Sequence, residues 1–386
     1  MATSKARSVL CVQPVAERGG SDQALAAIAR QLSRAGWQVH IAVPSSPQVD
    51  YAGAGATAHV VPMRRVSTSH GLAQWAAYAA FWPASVLRLW RLAREVDLVH
   101  SNSLHCWYGW AAAALAGKPH IWHAREVVTQ SRAALALERW LVRHFATCVL
   151  AASQAVASQL APTEACVVYE EADTSLFSPL RAGQARARYG LADSAPTAGY
   201  VGRVDTWKGV EVFLEAFALV RERRPEVAGV VAGAPVAGKE AFAERLAQRA
   251  RELGVAWLGP LSSSEVADLL ADLDCLACPS TTPEPWGLSA VEALASGLPV
   301  VASNAGGLRE VMAGLPPSAG RLLPPGDVGA FASAIEEVLP RSTSAELRRR
   351  RVPLRSGEPP PYPEIFEEIF ERASLRRCPR SANQGP

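Results

Sequence analysis

Two short segments carry residue types that could hold a phosphorylated ligand. The first, residues 202–209, contains Gly202, Arg203, Lys208 and Gly209. Arginine offers a planar fork of donors and lysine a compact point charge, so the two can converge on one anion. Lysine is rare in this chain, at positions 5, 118, 208 and 239 only, while arginine supplies almost all the positive charge. A lysine at 208 is therefore an unusual choice for a solvated loop. The second segment, 283–297, reads Pro283-Glu284-Pro285-Trp286-Gly287-Leu288 and continues through Glu292 in a helical pattern. A helix N-terminus presents unpaired N–H groups and a partial positive charge, which suits a diphosphate. Gly287 lets the backbone come close. Glu284 and Glu292 would repel phosphate but suit the hydroxyl groups of sugars flanking it.

Both segments follow apolar runs that read as strands, at 198–201 and 275–278. Further strands are expected at 9–12, 40–43, 96–100, 120–122, 148–151 and 166–168, then at 227–232, 255–258 and 300–302. Helical periodicity falls between them, at 22–35, 72–96, 210–223, 240–253, 262–273 and 288–296. Ser262 with Glu265 has capping-box spacing. This alternation predicts parallel sheets with crossover helices, and it occurs twice. Residues 169–194 lack a long apolar run and read as a linker. The expected domains are 1–178 and 179–345, followed by a basic segment, proline spacer and helix at 346–386. In that tail the arginine run 348–351 reads as a solvated helix face. Ile365, Phe366, Ile369 and Phe370 give a helix over 362–373 an apolar side that needs a surface to pack on.

Hydrophobic residues make up 49% of the 386 and charged residues 19%, against about 25% charged in typical globular chains. Large cores are therefore available and global disorder is excluded. A formal net charge of +3 argues against a dedicated nucleic-acid binder. Seven cysteines, at 11, 106, 148, 166, 275, 278 and 378, form a poor disulfide framework and fit a reducing, cytoplasmic setting. The apolar run at 8–12 is too short for a signal peptide. Pro83 and Arg88 limit the apolar stretch 72–87, so no membrane span is expected.

Taken together, the 202–209 loop and the 283–297 segment resemble the donor-site signature of the family 4 glycosyltransferases. That signature is an Arg and a Lys in one glycine-bounded loop, then two Glu with seven residues between them, as at Glu284 and Glu292. The likeness covers essentially the whole chain and is strongest over 198–330. It implies an α/β protein with two Rossmann-like domains facing each other across a cleft (the GT-B fold), with the C-terminal helix packing back on the N-terminal domain. It further implies a nucleoside diphosphate sugar as co-substrate, and transfer of a hexose-type sugar to an acceptor hydroxyl with retention of anomeric configuration. Neither a metal nor a cofactor is implied. Gly202, Arg203 and Lys208 would hold the diphosphate, the backbone at Gly287 and Leu288 would contact it, Glu284 would meet the transferred sugar and Glu292 the ribose. Gly19 and Gly20 resemble the family's glycine loop, with Gly20 towards the donor phosphates and Gly19 on the acceptor side. His123, at a strand end beside Arg125, would hydrogen-bond the sugar or share the incoming hydroxyl's proton. Asn102 and Arg125 are further acceptor-side candidates. The catalytic set is then His123, Arg203, Lys208 and Glu284.

One departure stands out. Glu170 and Glu171 occupy the place where the family commonly has Asn-Gly, and they are candidates for recognising a basic acceptor such as an amino sugar. The loop 233–240 is one residue short of a P-loop, and Glu240 replaces the Ser or Thr that would hold magnesium. Cys275 and Cys278 have CxxC spacing but no second pair, and read as core. An NAD-dependent oxidoreductase would need G-x-G-x-x-G in a first strand-to-helix turn, which is missing. A catalytically decayed sugar-nucleotide-binding partner subunit is the other alternative. The aromatic helix 72–96 reads as core and acceptor-site wall, or as a bilayer-docking element that reaches a lipid-linked acceptor from the inner membrane face. Sugar, lipid-linked and natural-product acceptors all remain open, and no nucleic-acid partner is expected.

Overall fold

The computed structural model describes residues 6–16, 19–64, 72–129, 131–355 and 357–377. Lys5 and Cys378 lie outside them. The chain divides into two compact units, 1–168 with 360–386, and 169–359.

Unit 1 is built on a parallel seven-stranded sheet. In chain order its strands are β1 Ser8–Val12, β2 Gln38–Val43, β3 Ala56–Val60, β4 Leu98–Ser101, β5 His120–Ala124, β6 Cys148–Ala151 and β7 Cys166–Val167. They lie in the order β3-β2-β1-β4-β5-β6-β7. Central strands with both faces covered must be apolar throughout, and all five residues of β1 are buried. Helix Gly20–Arg34 packs Leu25, Ile28 and Leu32 on one face of the sheet. Helices Leu72–Glu95 and Gly109–Ala116 cover the other, through Leu89, Ala93 and Ala112. The C-terminal helix Tyr362–Arg377 seats Tyr362, Phe366 and Ile369 in the first of these cores, as its apolar stripe requires. Phe366 meets Trp37 edge to face at 6.1 Å.

Unit 2 repeats the plan with six parallel strands, β8 Thr197–Val201, β9 Ala228–Ala232, β10 Ala256–Gly259, β11 Cys275–Cys278, β12 Val300–Ser303 and β13 Gly320–Leu323. Their order is β10-β9-β8-β11-β12-β13. Helix Val210–Arg223 buries Phe213, Leu214, Phe217 and Val220. Helix Ser263–Asp272 starts with the expected Ser262–Glu265 capping box. In both sheets the strand order reverses once, between β1 and β4 and between β8 and β11. Such switch points open a crevice at the carboxyl ends of the strands, where α/β proteins bind ligands.

Several expectations need revision. The units divide after Val168, not at 178. Residues 169–171 are fastened to unit 2, because Trp286 Nε1 donates to the Glu170 carbonyl at 2.8 Å and Tyr169 stacks on Trp286. The tail also divides: 346–359 belongs to unit 2 and the last helix to unit 1. The expected linker holds a short helix, Gln184–Tyr189, bounded by Gly183 and Gly190. The Asp272 carboxylate accepts from the backbone N–H groups of Gly183, Ala185 and Arg186 and so caps it.

The arginine run is solvated only at Arg349 and Arg350. Arg348 is fully buried and pairs with Asp274 at 2.9 Å, and Arg351 reaches the same carboxylate at 2.5 Å. Asp272-Leu273-Asp274 also has the D-x-D spacing of a metal-dependent site, contrary to the reading that the sequence holds no such triplet. Both carboxylates are engaged at the start of β11, the end of the strand away from the crevice, Asp272 by backbone N–H groups and Asp274 by arginines and the Thr197 N–H. No helix among the described residues is long and apolar enough to cross a membrane.

Candidate functional site

The unit 2 candidates gather at the carboxyl ends of β8 and β11. After β8 the chain makes a tight loop. Tyr200 Oη donates to the Arg203 carbonyl at 2.7 Å. Asp205 accepts from Thr206 N at 2.8 Å and from Trp207 Nε1 at 3.0 Å. Gly209 ends the loop with φ +74°, and a Cβ there would collide with the Pro279 carbonyl oxygen, so only glycine fits. Thr281 N donates to the Trp207 carbonyl at 2.8 Å and ties this loop to the one after β11.

Lys208 is the product of this bracing. Its ammonium lies 2.6 Å from Glu284 Oε1 and 4.6 Å from the centre of the Trp207 ring. Ser280 Oγ donates to the other Glu284 oxygen at 2.6 Å. Glu284 is 7% exposed, and its carbonyl accepts from Gly307 N at 2.7 Å. Gly287, with φ +104°, is the N-cap of helix Leu288–Ala295 and supplies no side-chain cap, so the helix's first N–H groups are left for another partner. These pieces surround a small crevice lined by Gly202, Lys208, Ser280, Glu284, Gly287 and Ser289 among others. The Cys278 thiol also lines it, and burial pushes that thiol up to about 12, so it is no nucleophile.

Arg203, Leu288 and Glu292 stand near this crevice but do not line it. Glu292 sits on the helix that Gly287 caps, and burial pushes its carboxyl up to about 8. Ser280, Tyr200 and Trp207 were not singled out in the sequence. The signal for Ser280 was its place four residues before Glu284 on the loop after β11.

In unit 1 the candidates also converge, at the switch point between β1 and β4. Gly19 is the N-cap of the first helix and Gly20 its first residue. Asn102 Nδ2 donates to the Ser21 carbonyl at 3.1 Å and to Gln13 Oε1 at 3.0 Å. Arg125 Nε donates to Asn102 Oδ1 at 2.7 Å, and Arg125 Nη2 lies 3.4 Å from His123 Nδ1. His100 Nε2 lies 3.3 Å from the same His123 nitrogen. Arginine can only donate, so His123 Nδ1 accepts and its ring proton belongs on Nε2. His123 Nε2 is buried without a hydrogen-bond partner. Burial first, then the Arg125 charge and His100, hold the His123 pKa well below the ordinary imidazole value. Gln13 and His100 complete this network; His100 belongs to the same strand-end stretch as Asn102, while Gln13 was not singled out in the sequence.

Glu171, an acceptor-side candidate, is held in an ion pair. Its carboxylate pairs with Arg355 at 2.5 Å and 3.0 Å, and Arg355 also donates to the Val311 carbonyl at 3.1 Å. Glu170 contributes its carbonyl to Trp286, as described above. Among the described residues no group of three or more His, Cys, Asp or Glu is arranged to hold a metal ion.

Two parallel-sheet α/β units, with a cation, a carboxylate and a glycine-capped helix at one switch point, define a GT-B-type protein. The comparisons with known proteins agree. Residues 18–166 match the family model described as Glycosyltransferase Family 4, and residues 183–352 match the model described as Glycosyl transferases group 1. The chain belongs to the family 4 glycosyltransferases. It is 35% identical over 187 residues to a D-inositol 3-phosphate glycosyltransferase of Mycolicibacterium smegmatis, a match covering 47% of this chain and 41% of that one. A protein of the same description from Mycobacterium marinum is 36% identical over 190 residues, or 48% and 39% of the two chains. The chain thus spans less than half the length of these relatives. Among solved structures it resembles Anabaena Alr3699/HepE in complex with UDP and glucose, with a TM-score of 0.72 at 22% identity over 95% of this chain and 98% of that one. It also resembles WaaG, a glycosyltransferase involved in lipopolysaccharide biosynthesis, with a TM-score of 0.62 at 18% identity over 96% and 100%.

Proposed function

We propose that this protein transfers a hexose-type sugar from a nucleoside diphosphate sugar to an acceptor hydroxyl, with retention and without a protein-bound metal. The observation that carries this reading is the 2.6 Å pairing of Lys208 with Glu284 beside the helix that Gly287 caps. As the bond from sugar to phosphate breaks, negative charge grows on the leaving diphosphate. Lys208 and the N–H groups at the start of helix Leu288–Ala295 are fixed where they meet that charge, and fixed charges need no reorganisation during the reaction. Glu284 accepts from a hydroxyl of the transferred sugar while it orients Lys208. Glu292 faces the ribose. In unit 1, the His123 Nε2–H donates to a sugar or acceptor oxygen as a neutral group. A relative described as a D-inositol 3-phosphate glycosyltransferase, and a structural neighbour in complex with UDP and glucose, support a sugar nucleotide as donor and a hydroxyl-rich acceptor.

A thermal-shift panel with UDP, GDP, ADP, dTDP and NAD at equal concentration tests the donor side. A ligand at about a hundred times its Kd stabilises the fold by about 2.7 kcal/mol, a rise of a few degrees in Tm. A shift with one nucleoside diphosphate supports the reading and names its base, and a transfer assay with the matching sugar nucleotides follows. A shift with NAD alone overturns it. A nucleotide shift without turnover on any acceptor assigns the chain to the class of non-catalytic partner subunits.

A further inference from the structure

Helices Leu72–Glu95, Gly109–Ala116 and Arg132–Phe145 follow one another between β3, β4, β5 and β6. They lie side by side on one sheet face, with Trp82 6.2 Å from Trp110 and Trp110 stacked on Phe145 at 4.2 Å. Their inward side chains are core. Their outward side chains are unusual. Unit 1 exposes six large apolar side chains among the described residues, and five of them project from this layer. They are Phe81 at 44%, Leu87 at 46%, Leu115 at 65%, Leu137 at 44% and Trp140 at 51% exposed. Scattered exposed leucines need no explanation, but apolar groups concentrated on one face mark an interaction surface.

The exposed charges on this layer are positive with one exception. Residues 72–87 carry no charged side chain, and the same helix then turns Arg88, Arg91 and Arg94 to solvent. Arg132 and Arg143 are exposed on the third helix. The Arg64 guanidinium lies over the Phe81 ring at 4.8 Å. Glu95 is the exposed acid of these three helices, since Glu138 is buried against His105. Apolar side chains that dip below a headgroup layer, bordered by arginines that reach its phosphates, are what an anionic bilayer surface recognises. A nucleic acid would use the arginines but would gain little from Phe81, Leu87, Leu137 and Leu115.

We propose that the outer face of this three-helix layer docks on an anionic phospholipid bilayer, with Phe81 and Leu87 entering the headgroup region and Arg88, Arg91 and Arg94 pairing with lipid phosphates. The proposal does not depend on the transferase reading, because none of these residues belongs to the candidate site. Flotation of the full chain with vesicles of phosphatidylglycerol and phosphatidylcholine, against phosphatidylcholine alone, tests it. The expected result is flotation with the anionic vesicles that weakens as salt is raised. The triple variant Arg88→Ala, Arg91→Ala, Arg94→Ala should lower partitioning about a hundredfold, at about fivefold per arginine. The pair Phe81→Asp, Leu87→Asp should abolish it. Arg245→Ala with Arg251→Ala, on an exposed helix of unit 2, should leave it unchanged. All these side chains are exposed, and a melting curve checks that each variant folds. Failure to float with anionic vesicles at low salt overturns the proposal, as does flotation that survives both variant sets. Loss in the arginine variant alone, with Phe81→Asp, Leu87→Asp behaving as the parent, also overturns it, because the contact is then electrostatic only and no apolar side chain enters the headgroup region.

Discussion

Lys208 and Glu284 stand 76 positions apart in sequence, yet the Lys208 ammonium lies 2.6 Å from Glu284 Oε1. Each residue fixes the other. Ser280 holds the second carboxylate oxygen, so the pair has one geometry, and the ammonium keeps two further donors for a ligand. A preorganised cation is worth most where charge develops in the transition state. Lys208→Ala should therefore cut transfer at least about a hundredfold in an assay with saturating sugar nucleotide, and Glu284→Ala should do the same. Near-normal turnover in both variants would contradict the site.

The strands around this pair were legible in the sequence because buried parallel strands are short and wholly apolar. The run 275–278 is an example, matching β11. The helix starts were legible where a cap was explicit, as at Ser262. What the sequence hid is the work of lone polar groups in the core. Edge strand β3 is half exposed, and the apolar positions of its alternating Ala-Thr-Ala-His-Val run are two alanines and one exposed valine, too weak a pattern to read. Helix Gln184–Tyr189 shows no apolar period, because Asp272 holds its N-terminus and Arg186 anchors it from within. Arg348 and Arg351 looked solvated since arginines usually are, and only a distant buried acid, Asp274, makes them otherwise. The juxtaposition of Lys208, Glu284 and Gly287 was legible by type and spacing, whereas the bracing from Ser280 and Tyr200, and from Gln13 in unit 1, depends on distances that spacing does not encode.

Glu292 makes stability depend on pH in an unusual direction. Burial pushes its carboxyl from 4.5 up to about 8 in the folded chain. Between those values the folded state binds a proton that the unfolded state has released, so stability falls as pH rises. Glu292→Gln removes this titration. Its Tm, relative to the parent's, should climb steadily from about pH 5 to about pH 8. A constant difference across that range would show that Glu292 is ionised in the fold.

The Asp274 carboxylate is the centre of a buried ion network. It accepts from Arg348 at 2.9 Å and 3.0 Å, from Arg186 at 3.2 Å, from Thr343 at 3.0 Å and from Thr197 N at 2.9 Å. Removing one member of such a set leaves buried charge without compensation, which costs about 3–5 kcal/mol. Asp274→Asn keeps the shape but not the charge. Urea denaturation should show a loss of about that size, while Arg350→Ala, on an exposed neighbour, should change little.

His123 should act as a hydrogen-bond donor and not as a titrating base. The Arg125 guanidinium and His100 both point at Nδ1, which leaves the proton on Nε2. Burial and the Arg125 charge keep the ring neutral through and below its ordinary value of 6.5. The transfer rate should then show no step near pH 6.5 that His123→Asn removes. Nitrogen NMR of the His123 ring should report a neutral Nε2–H tautomer from about pH 5.5 to 8. His123→Ala should lower kcat by about a hundredfold, as for loss of one transition-state donor, with little change in donor KM. A rate step at pH 6.5 that follows the His123 ring titration would instead assign it the role of general base.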